Sequence, residues 1–216
     1  RVSFFVTGRG QGFDDKARFS AKIENLTGTL REKRVRGSGV IERNAQGWRI
    51  ADAQARFGRA ELALHGTLYD DIDARWTFKT DSLAEVLPDT AGRVDFSGAL
   101  RGTRETPHVI VDLRAENLRY EAWRAQRLDV SADVNLGVNV PSRLFIRATR
   151  MGRNEPSIES LVVNGAGMTA AHELEIEITG STPTGARRPS RARFVAAGGF
   201  EDGVWNATLN TTHLSH

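Results

Sequence analysis

Cysteine is absent from this 216-residue chain. That excludes a disulfide framework and any metal site built on thiolates. Proline is scarce, at 6 residues, which leaves long stretches able to donate every backbone N–H to a ladder. No run approaches the ~20 apolar residues of a membrane-spanning helix. No secretory leader is legible; the chain opens on Arg1-Val2-Ser3-Phe4, already strand-like, and reads as a piece of a longer protein. Charge of one sign is also lacking: 30 basic and 27 acidic groups leave a net +3, weak ground for a nucleic-acid partner. Lysine is confined to Lys16, Lys22, Lys33 and Lys79, so arginine carries most of the positive charge. Hydrophobic residues make up 39%, which is low for a chain of many strands and fits strands buried on one face only.

What is present is alternation. Leu128, Val130, Ala132, Val134 and Leu136 are separated by Asp129, Ser131, Asp133 and Asn135. Leu174, Ile176 and Ile178 alternate with Glu173, Glu175 and Glu177. Period two puts the apolar side chains on one face of a pleated sheet and the charges on the other. About thirteen such runs are legible, the first near 2–7 and the last, 192–213, long enough to be a hairpin. Turns are expected at Asn44-Ala45-Gln46-Gly47, Asp70-Asp71, Gly152-Arg153-Asn154 and Gly165-Ala166-Gly167. One short helix is expected from Ser82 to Leu87, with Ser82 as N-cap and Pro88 as its stop. A weak repeat of glycine-turned hairpins (Ile50 to Gly66, Ile158 to Gly180) suggests a sheet that extends by addition. The expectation is an all-β chain: a single elongated, curved sheet over 1–216, an open groove or a partly closed tube with an apolar interior.

Residues that could carry chemistry are dispersed. Of the five histidines only His213 and His216 are closely spaced, and they sit at the chain end. Gly8, Gly10 and Gly12 precede Phe13-Asp14-Asp15, with no lysine and no helix pattern to make a phosphate loop. Paired carboxylates (Asp14/Asp15, Asp70/Asp71) fall where turns favour aspartate. The loop Ser181 to Ser190 carries Arg187 and Arg188 and reads as solvated. Trp48, Trp76, Trp123 and Trp205 read as packing residues. Neither a catalytic residue, nor a metal ligand, nor a cofactor is expected, and the chain does not read as an enzyme.

The apolar stripe is therefore the candidate site. Its members are Leu62 and Leu64, then Val94 and Phe96, then Val109, Val111 and Leu113. Leu128, Val130 and Val134 follow, with Leu144 and Ile146, and finally Leu174, Ile176 and Ile178. Pattern alone allows two uses of such a face: a closed β-sandwich core or a groove lined for lipid chains. The medium-sized aliphatic composition leans toward the groove. A closed structural stalk and a carbohydrate-binding sandwich stay open as alternatives.

One stretch goes beyond pattern. Leu83, Leu87, Pro88, Gly92, Val94, Phe96, Gly98, Leu100, Gly102, Thr103, Pro107, Leu113, Leu118 and Tyr120 follow the spacing of a repeating module in the TamB family of AsmA-like proteins. Gly203 to Leu209 and Gly167 to Gly180, with His172, resemble two further elements of that family. The resemblance implies an elongated sheet folded lengthwise. It also implies a periplasmic location in a protein anchored in the bacterial inner membrane, and a part in outer-membrane biogenesis. The partners it implies are phospholipid acyl chains and, through the full-length protein, the outer-membrane barrel TamA. Exposed sheet edges would let the piece self-associate.

Overall fold

The computed structural model describes residues 2–11, 18–137, 139–155, 157–180, 190–201 and 204–215. The strands are β1 (Val2–Gln11), β2 (Arg18–Leu30), β3 (Lys33–Asn44), β4 (Gly47–Phe57), β5 (Ala60–Leu68), β6 (Asp71–Thr80) and β7 (Thr90–Thr103). They continue as β8 (Pro107–Tyr120), β9 (Trp123–Asn135), β10 (Ser142–Arg153), β11 (Ile158–Met168), β12 (Ala171–Gly180), β13 (Arg191–Glu201) and β14 (Val204–Ser215). All belong to one antiparallel 14-stranded sheet in plain sequence order. Thirteen inter-strand steps at about 4.8 Å give a sheet roughly 60 Å long. The long last run is the hairpin β13–β14.

Antiparallel neighbours need only tight turns, which explains why no crossover helix interrupts the chain. Each strand pairs with its sequence neighbours, and substantial contacts join successive strands alone, apart from a short 3₁₀ turn on β7. Among the described residues no second layer covers either face. The accessible surface is 14840 Å², against about 9,900 Å² for a compact monomer of this mass. The closed sandwich and the closed stalk core are thus not what this sequence forms.

The strands are bent rather than flat. Asn25 (φ 51°) and Asp52 (φ 49°) sit at register-shifting bulges in β2 and β4, and Asn117 (φ 52°) and Arg150 (φ 47°) interrupt β8 and β10. Asn and Asp tolerate the left-handed region better than other side chains. A bulge bends its strand and increases the local twist.

Two expectations need correction. Gly165, Ala166 and Gly167 form no turn; they lie inside β11, and the turn comes at Thr169–Ala170. Gly165 is where two leucines crowd the strand, a role for glycine as common as turning. The expected helix is only a 3₁₀ turn, Leu83–Glu85, and the Ser82 side chain does not cap it. The Ser181–Ser190 loop apart from Ser190, the Asp14/Asp15 pair and His216 lie outside the described residues, as do the side chains of Trp205 and His213.

The segment after β6 folds along one rim of the sheet. Thr80 and Thr90 are buried beneath it. Their hydroxyls are satisfied locally: Ser82 N–H donates to Thr80 Oγ1 at 3.1 Å, and Thr90 Oγ1 donates to the Leu87 carbonyl at 2.6 Å. Glu85 fastens the segment to the β4–β5 turn. Its Oε2 accepts the Arg59 backbone N–H at 2.8 Å and its Oε1 accepts Arg59 Nε at 3.0 Å, with Lys33 Nζ 3.6 Å away. Gly58 (φ 57°) permits this, since a Cβ there would stand 2.2 Å from Glu85 Oε2. The Arg59 backbone bond, followed by the Arg59 and Lys33 charges, holds the Glu85 carboxyl below its ordinary pKa.

A depressed carboxylate pKa stabilises the fold above the unfolded value and loses that effect as pH falls through the folded value. Glu85→Gln should therefore melt below the parent chain at neutral pH, and the gap should close below about pH 4. Thermal melts across that range check it; a gap independent of pH would contradict the latch.

Candidate functional site: an open apolar trough

Cross-strand partners share a face, so the register decides which side chains lie together. One rung runs unbroken across nine strands. Leu62 on β5 opposes Phe78 on β6, which opposes Phe96 on β7, then Leu113 on β8 and Val130 on β9. From Val130 it continues through Ile146, Val163, Ile176 and Phe194 on β10 to β13. Eight steps of about 4.8 Å make roughly 38 Å of continuous apolar surface. That exceeds the ~30 Å of a whole bilayer core.

The other stripe residues fall on the same face in flanking rungs. Toward the 3₁₀ rim, Val94 opposes Thr80 and Ala115, Leu128 opposes Ala115 and Ala148, and Ile178 opposes Leu161 and Ala192. Toward the far rim, Leu64 faces Trp76, Val111 faces Gly98 and Ala132, and Leu144 and Leu174 both face Gly165. Val109 opposes Val134 one rung further. The register thus puts all the stripe candidates on one side of the sheet.

Trp76, Phe78, Val163 and Phe194 belong to that face and were not among the candidates. Their signal was legible for β6, where Ala74, Trp76 and Phe78 alternate with Arg75, Thr77 and Lys79. It was masked in β11, where Leu161, Val162 and Val163 run together; Val162 lies on the opposite face, between Arg147 and Glu177.

Among the described residues no other element rests on Leu113, Val130, Ile146 or Ile176, yet each is half-buried. Arg114, Arg147 and Glu177 on the reverse face are exposed. Apolar side chains in adjacent rungs shade one another across the strands. Leu62 remains 44% exposed. Aromatics narrow the trough at β6 and β7, where Trp76 and Phe96 stand with ring centroids 6.2 Å apart.

The reverse face fixes the register by charge. Arg56, Glu61, Lys79, Asp95, Arg114, Asp129 and Arg147 form one rung of alternating sign across β4 to β10. Arg56 pairs with Glu61 at 2.5 Å and Lys79 with Asp95 at 3.0 Å. The Arg127 hydrogen bond at 2.6 Å, then the charges of Arg127, Arg114 and Arg147, lower the Asp129 pKa. Such surface pairs contribute little each, but a slipped register would set like charges side by side. Among the described residues no group of His, Asp and Glu is placed to hold a metal ion, and no helix is long and apolar enough to cross a membrane.

An uncapped antiparallel meander with one apolar face is an elongated, curved sheet that does not close on itself. The family described as TamB, N-terminal domain matches residues 6–216, and the chain belongs to the TamB family. No solved structure matches it.

A charge on the trough wall should be tolerated by folding. Val130→Asp and Ile176→Glu each sit on the central rung. In a closed core an unpaired carboxylate costs several kcal/mol and often unfolds the domain. In an open trough it keeps water, and the cost falls to the ~1 kcal/mol range of strand preferences. Each variant should melt within about 5 °C of the parent; outright unfolding would show that the face is sealed.

Proposed function

We propose that this chain is one elongated unit of a periplasmic bridge, anchored in the inner membrane through the rest of its protein, that shields phospholipid acyl chains as they pass between the two membranes. The observation that carries this reading is the central rung from Leu62 to Phe194, continuous and open to solvent. A sixteen-carbon chain leaving water for such a surface gains roughly 12 kcal/mol at about 0.8 per CH₂. Polar headgroups can stay in water along the open side. Nothing in the transfer requires a bond to be made or broken, so the segment acts without catalysis or a cofactor.

Support of outer-membrane protein assembly is a second role for the same protein, beside the barrel TamA. The open edges favour it. Among the described residues β1 and β14 each have one partner, and Val2, Phe5 and Val6 on β1 and Val204 and Leu209 on β14 are exposed. Such edges accept further strands from the same protein, from a second copy or from a client. Sedimentation should show association that grows with concentration; a strict monomer at high concentration would count against this use of the edges.

The trough reading is tested in cells. Val130→Asp and Ile176→Glu, placed in the full-length protein, should fold and still fail to restore the outer-membrane barrier to cells lacking it. Full restoration by both variants would mean that the apolar face conducts nothing.

A further inference from the structure

The trough is not uniform. Two glycines face inward on the same rung, Gly98 on β7 and Gly165 on β11, and each leaves a gap in the wall. At Gly98 the gap is filled from within: a Cβ there would stand 2.4 Å from Trp76 Cζ2, so the indole lies where a side chain would be. At Gly165 it is filled only in part: a Cβ there would meet Leu174 Cδ2 at 2.8 Å and Leu144 Cβ at 3.1 Å, and beside those leucines an open recess of about 420 Å³ lies between Leu144, Leu174, Val134, Leu136 and Met168.

The polar groups around this recess already have partners. Ser142 Oγ accepts the Asn135 N–H at 2.9 Å and donates to the Asn135 carbonyl at 3.2 Å. Thr169 Oγ1 donates to that same carbonyl at 3.4 Å, tying the β11–β12 turn to the end of β9. His172 Nδ1 lies 3.3 Å from the Met168 carbonyl oxygen. The recess therefore offers contact surface and little hydrogen bonding. The recess opens to solvent, so a headgroup gains no hydrogen bond by entering it, whereas an alkyl chain leaves water for contact surface. An apolar cavity of about 150 Å³ suffices for benzene, so this one has room for a length of chain.

We propose that the Gly165 recess seats the methyl-terminal half of one phospholipid acyl chain, a resting place along the trough. This rests on the acyl-shielding reading. Gly165 is its specificity-determining residue, because a side chain there would push the Leu174 methyl into the seat. Trp76 over Gly98 is the internal counterpart: a matching gap already occupied by an apolar group of the protein itself.

The test uses phosphatidylcholine vesicles doped with a phospholipid that carries a diazirine beside the methyl end of one chain. A second probe carries it beside the ester. After illumination, labelled peptides are mapped by mass spectrometry. The methyl-end probe should concentrate on the peptides holding Leu144 and Leu174, and the ester probe should not. Gly165→Val should lower that labelling about tenfold, the equivalent of shutting out roughly two methylenes, while labelling around Ile146 and Val130 persists. Trp76→Ala should open the gap over Gly98 and create a second labelled spot there.

Labelling spread evenly along the trough in the parent chain would overturn the seat and leave acyl shielding intact. So would unchanged labelling in a folded Gly165→Val chain. Should that variant fail to fold, Trp76→Ala decides, and no new label at Gly98 overturns the proposal. No labelling anywhere would reject acyl shielding and the seat together.

Discussion

The structure depends on one constraint: a backbone ladder that is satisfied strand by strand. Every strand of the meander finds its hydrogen-bond partners in its sequence neighbours, so the ladder calls for no second layer. The side chains must then settle the fate of the apolar face by themselves. Bulges at Asn25 and Asp52 bend strands, and the residues of the face shade one another across rungs without meeting a facing sheet. The charged rung from Arg56 to Arg147 holds the register from the other side. A slip of one residue would turn the charges into the trough and the leucines into water.

Most of this was legible because period two is a strong signal when one face is charged. In β9 and β12 each apolar residue has a charged or polar neighbour, and the register puts them on the sides the alternation predicts. Legibility failed where the local signal had two readings. Gly165 and Gly167 suggest a turn because glycine breaks strands; pairing with Leu144 and Leu174 keeps Gly165 inside β11, and their side chains leave no room for a Cβ. The segment from Ser82 to Pro88 looked like a capped helix. Its conformation is set instead by Glu85 reaching Arg59 and Lys33 across the rim, a tertiary bond that no local rule anticipates.

The family resemblance and the physics meet at particular residues. Among the motif positions, Leu83 and Leu87 belong to the rim segment that buries Thr80 and Thr90, and Gly98 lies beneath the Trp76 indole. Phe96 and Leu113 stand side by side on the central rung. These spacings describe a fold made by adding hairpins, in which each strand contributes one tooth to a shared apolar surface. Openness was the feature hardest to read, because alternation looks the same in a sandwich and in a trough. The accessible surface, about half as large again as that of a compact monomer, separates the two.

If the apolar face takes acyl chains, as proposed, native mass spectrometry of the chain purified from bacterial cells without detergent will show mass shifts matching whole phospholipids, reduced in Val130→Asp and Ile176→Glu chains that fold normally. Lipid-free protein from the parent chain, or equal lipid on parent and variants, would contradict it.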